Sequence, residues 1–466
     1  MTGDHAWNLQ VRSHVSISDK TKVSNIAGNR YAHPLLVSLA NIDTGVHAKG
    51  SLHAYIPLAL LPVAKFMHRN KCMHGVLADH LLHQCINLVV EPLKQAACLG
   101  IMMSDSQVPN SFSRYCFTPL VAYVADTPEE LVIACTTMNS SPVTMATHGE
   151  FGDPIRHPPC DGSSTLANIA GIITSILLSN LVAFFEACKH YNLNSVNLPF
   201  WRNWFAANPS SFLTPELLHH LHKMFWDHDR LWCTTVVSSQ EIDFHFALLL
   251  RPCSGVRWSG IGGAQIRYMT AAPDHCNVQW YIIGMIAGAA PADFISAIWA
   301  LMEFRYLAQA PHFTNKQVVD LEHCLKVFHQ LKQSIVDAGA QRGKGGGDKP
   351  WVIPKLKLLQ GVVPSIYSHG TVMQWSADPT EHEHIRVVKE PSRAGNNHDY
   401  DMQVCRHLNH HDKVECFDLA LQMHAQEDHK SDKDNEGGLA QHFVKDYFAF
   451  ACDLINGVHP QAPRPY

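Results

Sequence analysis

From Leu9 the chain alternates apolar and polar residues through Val11, Val15 and Ile17, a period-two pattern that predicts a half-buried strand. The run stops at Ser18-Asp19-Lys20-Thr21, so the predicted strand delivers a carboxylate at its end. PLLVSLA (34–40) and AYIPLALL (54–61) follow as strands between Asn, Asp and Gly turn residues, which suggests an antiparallel meander. Leu77, Leu81, Cys85 and Leu88 then fall at helical spacing within 76–97, with Pro92 as a kink. After a hairpin-like stretch at Ser104-Asp105-Ser106, the run from Tyr115 to Ala125 predicts a further strand that also ends in an acid, Asp126. Thr127-Pro128-Glu129-Glu130 supplies a capping residue, a first-turn proline and a capping-box glutamate for the next helix.

Three strands, a helix and a strand ending again in Asp is the order in which an RNase H-like sheet is built. The expected fold class is therefore α/β, with residues 1–158 forming the first part of an RNase H-like core. Residues 159–338 turn mainly helical, most clearly at Pro215–Trp232, Ala292–Leu307 and Val318–Asp337, and are expected to be a helical insertion. A glycine-rich stretch, 339–350, has linker composition. Its Gly339, Gly343 and Lys344 do not make a phosphate loop, because the spacing is one residue short, Gly follows the Lys and no strand precedes it. Residues 351–424 are again helical and are expected to return to the core, and 425–466 form a charged, Pro-rich tail whose first part, 425–438, is expected to be a solvated loop.

Composition narrows the class. Hydrophobic residues are 46% and charged residues 17% of 466, which fits a packed globular protein. The 14 Cys lie scattered without an N-terminal signal segment, which points to reduced thiols inside the cell. Net charge is −5 and no run of five Lys/Arg occurs, so any nucleic-acid contact must be local or supplied by another module. Leu166–Phe185 is uncharged over a membrane-spanning length, yet Asn168, Thr174, Ser175, Ser179 and Asn180 interrupt it, and one or two buried helices without a membrane are expected.

Two Asp residues at the ends of strands in one sheet are what two-metal phosphoryl chemistry needs, because rigid strands hold the carboxylates while Mg²⁺ keeps positions open for water and phosphate oxygens. Asp19 and Asp126 are those residues here; on spacing alone, each also reads as a turn former or a helix cap. A third acid must come from farther along. Glu381, preceding a helical stretch beyond the insertion, is best placed, with Asp378, Glu383 and Glu216 as rivals. His382-Glu383-His384 matches helical zinc spacing only loosely and reads as surface polarity, and Cys405, His407, His410, His411 and Cys416 fit none of the usual zinc spacings. The 32 His are dispersed along the chain and imply no ligand set.

Ser18-Asp19-Lys20-Thr21 and His33-Pro34-Leu35-Leu36 through Asn41-Ile42 closely resemble the start of the Plavaka-type transposases of fungal DNA transposons. Arg114–Glu130 (RYCFTPLVAYVADTPEE), Leu213–His228 (LTPELLHHLHKMFWDH), Phe304–Pro311 (FRYLAQAP), Pro354–Leu359 (PKLKLL) and Thr380–Ile385 (TEHEHI) resemble further blocks of that family in the same order, to about residue 420.

The resemblance implies a cut-and-paste transposase core with an Asp-Asp-Glu triad, Asp19, Asp126 and Glu381, holding Mg²⁺ or Mn²⁺. Asp105, in the hairpin before the same strand, competes for the second place. It also implies transposon-end DNA as partner and a nuclear location. Self-association as a homo-oligomer stays open. Two departures matter. The zinc-finger region that precedes the core in such transposases is missing, and Ser141-Pro142-Val143-Thr144 stands where relatives have a Cys-Pro-x-Cys knuckle, so no zinc is expected there. These losses imply a truncated core or, alternatively, a catalytically inactive remnant serving as an interaction module.

Overall fold

The computed structural model describes residues 10–11, 14–18, 21–22, 31–47, 49, 52, 54–67, 72–104, 113–249, 266, 272–342, 347, 350–396 and 399–431. The chain divides into two compact units, Met1–Thr21 with Tyr31–Glu383, and Lys22–Arg30 with His384–Tyr466.

The described strands are β1 (Gln10–Val11), β2 (His14–Ser18), β3 (Thr21–Lys22), β4 (Tyr31–Leu39), β5 (Ile56–Leu61), β6 (Ile101–Ser104), β7 (Ser113–Phe117) and β8 (Leu120–Val124). In the first unit β4 lies antiparallel between β2 and β5, as the meander requires, and β8 runs parallel to β2 on the other side. Ala32–Val37 are buried almost without interruption, the signature of a strand covered on both faces.

One expected strand is two. Tyr115–Ala125 breaks at Thr118-Pro119, with β7 on one side and β8 on the other. Pro119 has no N–H to give a ladder, and Thr118 turns its hydroxyl onto the Leu93 carbonyl at 2.9 Å. The N-terminal strand is divided at the matching level. β1 pairs parallel with β7 while β2 pairs parallel with β8, so the same two chain segments run side by side through both sheets. β6 completes the smaller sheet antiparallel to β7, which supports the expected hairpin around it.

The helix expected over 76–97 is also two, Cys72–Val89 and Glu91–Leu99, with Pro92 in the first turn of the second, where its missing N–H is no loss. Helix Thr127–Ile133 starts one residue earlier than expected, because Asp126 and not Thr127 is its cap. It ends in a Schellman closure. Cys135 takes φ 62°, its N–H bonds the Val132 carbonyl at 3.0 Å, and Thr136 N–H bonds the Leu131 carbonyl at 2.9 Å.

Two large apolar cores and a smaller one lie among the described residues of this unit. One covers the sheet and joins Leu35, Leu61, Ile86, Leu120 and Tyr123 to Trp201, Trp204, Phe212 and Leu213. The other is helical and joins the run from Leu217 to Val237 to Ala292–Ala308, Asn315–Leu331 and the segment from Ile353 to Val372. At its centre Arg305 and Asp229, both fully buried, meet at 2.5 Å, and Arg305 Nε donates to the Leu221 carbonyl at 3.1 Å.

Leu166–Phe185 resolves into helices Gly162–Ser175 and Leu181–His190. Only one face is covered, by Ile169, Ile172, Phe184 and Cys188, while Leu177 and Val182 are exposed, so the expectation of buried helices holds for half of each. Among the described residues no helix is long and apolar enough to cross a membrane. In the glycine-rich stretch, Gln341 is buried and accepts from Trp232 Nε1 at 2.9 Å, which pins the start of a segment that composition marks as a linker.

From His384 on, the described part of the second unit is mainly helical, with Glu390–Ala394 and the 32-residue helix Tyr400–Ser431, and Val387, Val388, Val404 and Leu408 are buried. The charged loop expected from 425 is therefore helix as far as Ser431.

Candidate functional site

β8 carries the chain to Asp126, whose half-buried carboxylate caps the next helix by accepting the Glu129 N–H on Oδ1 at 3.0 Å. Oδ2 takes no hydrogen bond among the described residues. Burial raises the pKa of this group, and the neighbouring charges of Glu129 and Glu216 push the same way, against the Glu129 N–H and the His219 charge.

Parallel pairing with β2 ends at Ile17 opposite Val124, so Asp19 and Asp126 each follow a paired residue by two positions. Asp19 itself lies outside the described residues, as does Asp105.

A segment from the helical region also reaches β8. Leu213 makes a parallel bridge to Tyr123 in β8, three residues before Glu216. Glu216 is fully buried and caps the helical run that begins at Leu217, accepting Leu218 N–H at 2.8 Å, His220 N–H at 3.1 Å and His219 N–H, with His219 Nδ1 at 3.0 Å. Burial alone would raise its pKa, but these bonds and the His219 charge outweigh it and hold the carboxyl below the ordinary glutamate range. An ionised carboxylate at a helix N-terminus is a favourable placement.

Glu130 faces the same cluster with the opposite outcome. It is buried, its Oε2 has no hydrogen-bond partner among the described residues, and the charges of Glu216 and Asp126 add to the burial, so its pKa is pushed well above the ordinary value. His220, lowered to about 4 chiefly by burial, is neutral. Its Nδ1 accepts the Glu216 N–H at 3.2 Å, which leaves the ring proton on Nε2, 3.5 Å from Glu130 Oε2. With the imidazole neutral, this contact is not an ion pair. Glu129, on the next position of the helix, takes His33 Nε2 at 3.2 Å and the Tyr123 hydroxyl at 3.5 Å.

Residues 1–233, half of the chain, match the family described as Plavaka transposase. The chain belongs to the Plavaka transposase family. No curated protein matches it. The family match takes in Asp19, Asp126 and Glu216 and stops short of Glu381.

The Glu216 charge acts on Asp126, although the Glu216 oxygens are committed to backbone N–H groups. Glu381 is half-buried in helix Asp378–His384, its N–H bonded to the Ala377 carbonyl at 3.0 Å. Asp378 is exposed and bonds Ser376 Oγ at 3.0 Å. Glu383 and His384 are buried, which corrects the expectation of surface polarity at His382-Glu383-His384. Cys405 and Cys416 are exposed on helix Tyr400–Ser431, and His411 pairs with Glu415 at 3.0 Å. At Ser141–Thr144 the serine hydroxyl accepts the Val143 and Thr144 N–H groups at 3.3 and 3.1 Å, closing the turn.

Glu130, His219 and His220 were invisible as site residues in the sequence, where ELLHHLHK reads as an amphipathic helix. The adjacent His pair, three residues after an acid, is the signal that was there.

Glu150, Asp153 and His157 bring one ligand atom each within 4.8 Å of one another. His157 Nε2 stands 3.2 Å from Asp153, and Glu150 is occupied by Thr147 in a capping box. The Lys357 charge faces both acids and Lys332 faces Asp153, which balances this group as a surface ion network.

Proposed function

We propose that the chain is the catalytic core of a transposase that cuts transposon-end DNA and transfers strands by metal-dependent phosphoryl chemistry, with Asp19, Asp126 and Glu381 as carboxylates. The observation that carries this reading is the parallel pairing of β2 with β8, which ends the same two residues before Asp19 and before Asp126. An antiparallel meander with a fourth strand parallel to its first is also the order expected of an RNase H-like sheet. Asp126 suits a hard cation because it is half-buried at a strand end with Oδ2 uncommitted, and its capping bond fixes the carboxyl plane.

Mg²⁺ or Mn²⁺, when bound, would stabilise the attacking and leaving oxygens of an in-line displacement at a DNA phosphate. Glu216 supports the site from behind, fixing His219 and adding negative charge near Asp126 without offering its own oxygens. By this reading the protein works on nuclear DNA.

Calorimetric titration with Mn²⁺ tests the proposal. Binding is expected in the native sequence and is expected to vanish in the Asp19→Ala, Asp126→Ala double variant; equal binding by both would overturn the catalytic reading. The capping bond of Asp126 favours a second reading, a remnant in which this acid serves folding alone. That reading expects no Mn²⁺ binding by the native chain.

A further inference from the structure

Helices Ala292–Ala308 and Asn315–Leu331 share the helical core, and a cavity of about 320 Å³ opens between them. Its size falls in the range of small-ligand sites, roughly 300–1,000 Å³. Three small side chains create it. Ser296 and Ala300 are one turn apart on the first helix and Cys324 lies on the second, so a notch remains where larger residues would interlock. Ile295 and Val327 give it apolar sides, and Trp299 and Glu303, again one turn apart, line it as well. Trp299 keeps 56% of its surface exposed, while Ala297, Ile298, Ala300 and Leu301 around it are buried. A lone exposed apolar side chain is ordinary. An exposed indole in the wall of a cavity, one turn from an exposed carboxylate, is a more specific arrangement.

The charges around the notch select the occupant. The Glu303 carboxylate has no hydrogen bond or ion pair among the described residues. Burial raises the pKa of the Cys324 thiol, and the charges of Glu303 and Asp320 add to it, so both carboxylates are felt inside the notch. Phosphates and other anions are therefore repelled. A metal ion is disfavoured too, because Glu303, His323 and Cys324 do not bring ligand atoms within 4.8 Å of one another. An organic cation on an apolar stem suits every wall, with the stem along Ile295, Ala300 and Val327 and the charge at the indole and the carboxylate. Of the two cationic side chains, arginine has the planar head that both stacks on an indole and forks onto a carboxylate.

We infer that this notch receives an arginine side chain of a protein partner, its guanidinium lying on Trp299 and paired with Glu303. Such binding requires neither DNA nor the acids that follow β2 and β8.

The test titrates the intact chain with Nα-acetyl-arginine amide, its lysine counterpart and its neutral citrulline counterpart, followed by saturation-transfer NMR and calorimetry. The arginine amide is expected to bind, and the citrulline amide, which keeps the shape and loses the charge, about tenfold more weakly. Glu303→Gln is expected to weaken the arginine amide about tenfold, and Trp299→Leu about threefold, the size of an exposed cation–π contact. Ser296→Leu fills the notch without touching either group and is expected to abolish binding. All three positions are exposed, and circular dichroism confirms that the variants fold. Absence of arginine amide binding, equal binding of the citrulline amide, or unchanged affinity in Glu303→Gln or Ser296→Leu overturns the inference. Equal binding of the lysine amide overturns the choice of arginine. The Mn²⁺ titration is a separate measurement, and either reading can fail alone.

Discussion

Replacing Asp126 by Asn and by Ala separates two jobs that one carboxylate holds. Both variants remove the charge, but Asn keeps an oxygen able to accept the Glu129 N–H, now made at 3.0 Å, whereas Ala leaves that half-buried donor without its cap. Loss of an N-cap side chain costs about 0.5–2 kcal/mol, while Asn and Asp cap almost equally well. Asp126→Ala is therefore expected to lower stability by about 1 kcal/mol and Asp126→Asn by a few tenths of that. The Asn variant should come out ahead of that bare comparison above neutral pH, because Asp126 ionises against burial and against the charges of Glu129 and Glu216. Urea unfolding, followed by tryptophan fluorescence at pH 7.5, measures the first difference. Mn²⁺ calorimetry on the same samples measures the second, where both variants are expected to lose affinity alike. If Asn destabilises as much as Ala, the capping account is wrong. Should Asn retain the native Mn²⁺ affinity, the carboxylate is not a ligand.

Glu130→Gln should flatten the pH dependence of stability. The native pKa of Glu130 is raised, so its stabilising contribution is full below the unfolded value near 4.5 and is lost as pH climbs toward the native one. Thermal melts from pH 5 to 9 are expected to show the Gln variant gaining on the native chain with rising pH, and a constant gap would refute this. Arg305→Ala strands the buried Asp229 and should cost about 3–5 kcal/mol, whereas the Arg305→Met, Asp229→Leu pair should recover most of it in chemical denaturation. A pair no better than the single variant would show that the ion pair is not the source of the loss. His83→Leu should cost about 1–3 kcal/mol for each of two backbone groups it leaves unpaired, the Val132 carbonyl at 2.9 Å and the Phe200 N–H at 3.1 Å, read from the urea midpoint. A loss below 1 kcal/mol would mean that water replaces the ring.

The sheet was legible because its strands obey local rules. Alternation located β2, apolar runs located β4 and β5, and the Thr-Pro-Glu-Glu signature located the helix after Asp126 to within one residue. Pro119 was equally visible, and weighing its missing N–H against the apolar run around it would have split that strand at once. The site was half legible for a different reason. Strand ends mark Asp126, but only tertiary folding brings Glu216, His219 and His220 from ninety residues away to face Glu130, and hydrogen bonds then hold one glutamate's pKa down while burial raises the other's. Nothing along the chain distinguishes those two glutamates. Glu383 and His384 show the converse, since polar letters in a row read as surface and lie buried in the fold.

The hydrogen bond from Glu129 to Asp126 has a bearing on the history of such sequences. A residue that holds up a helix is kept by selection for folding even in lineages where transposition has ceased to matter. Relaxed selection on chemistry would then let position 126 wander among Asp, Asn, Ser and Thr, all of which cap helices, while continued selection on chemistry would hold it at Asp alone. Across related copies, the spread of substitutions at this one position would record which copies stopped moving, and in what order.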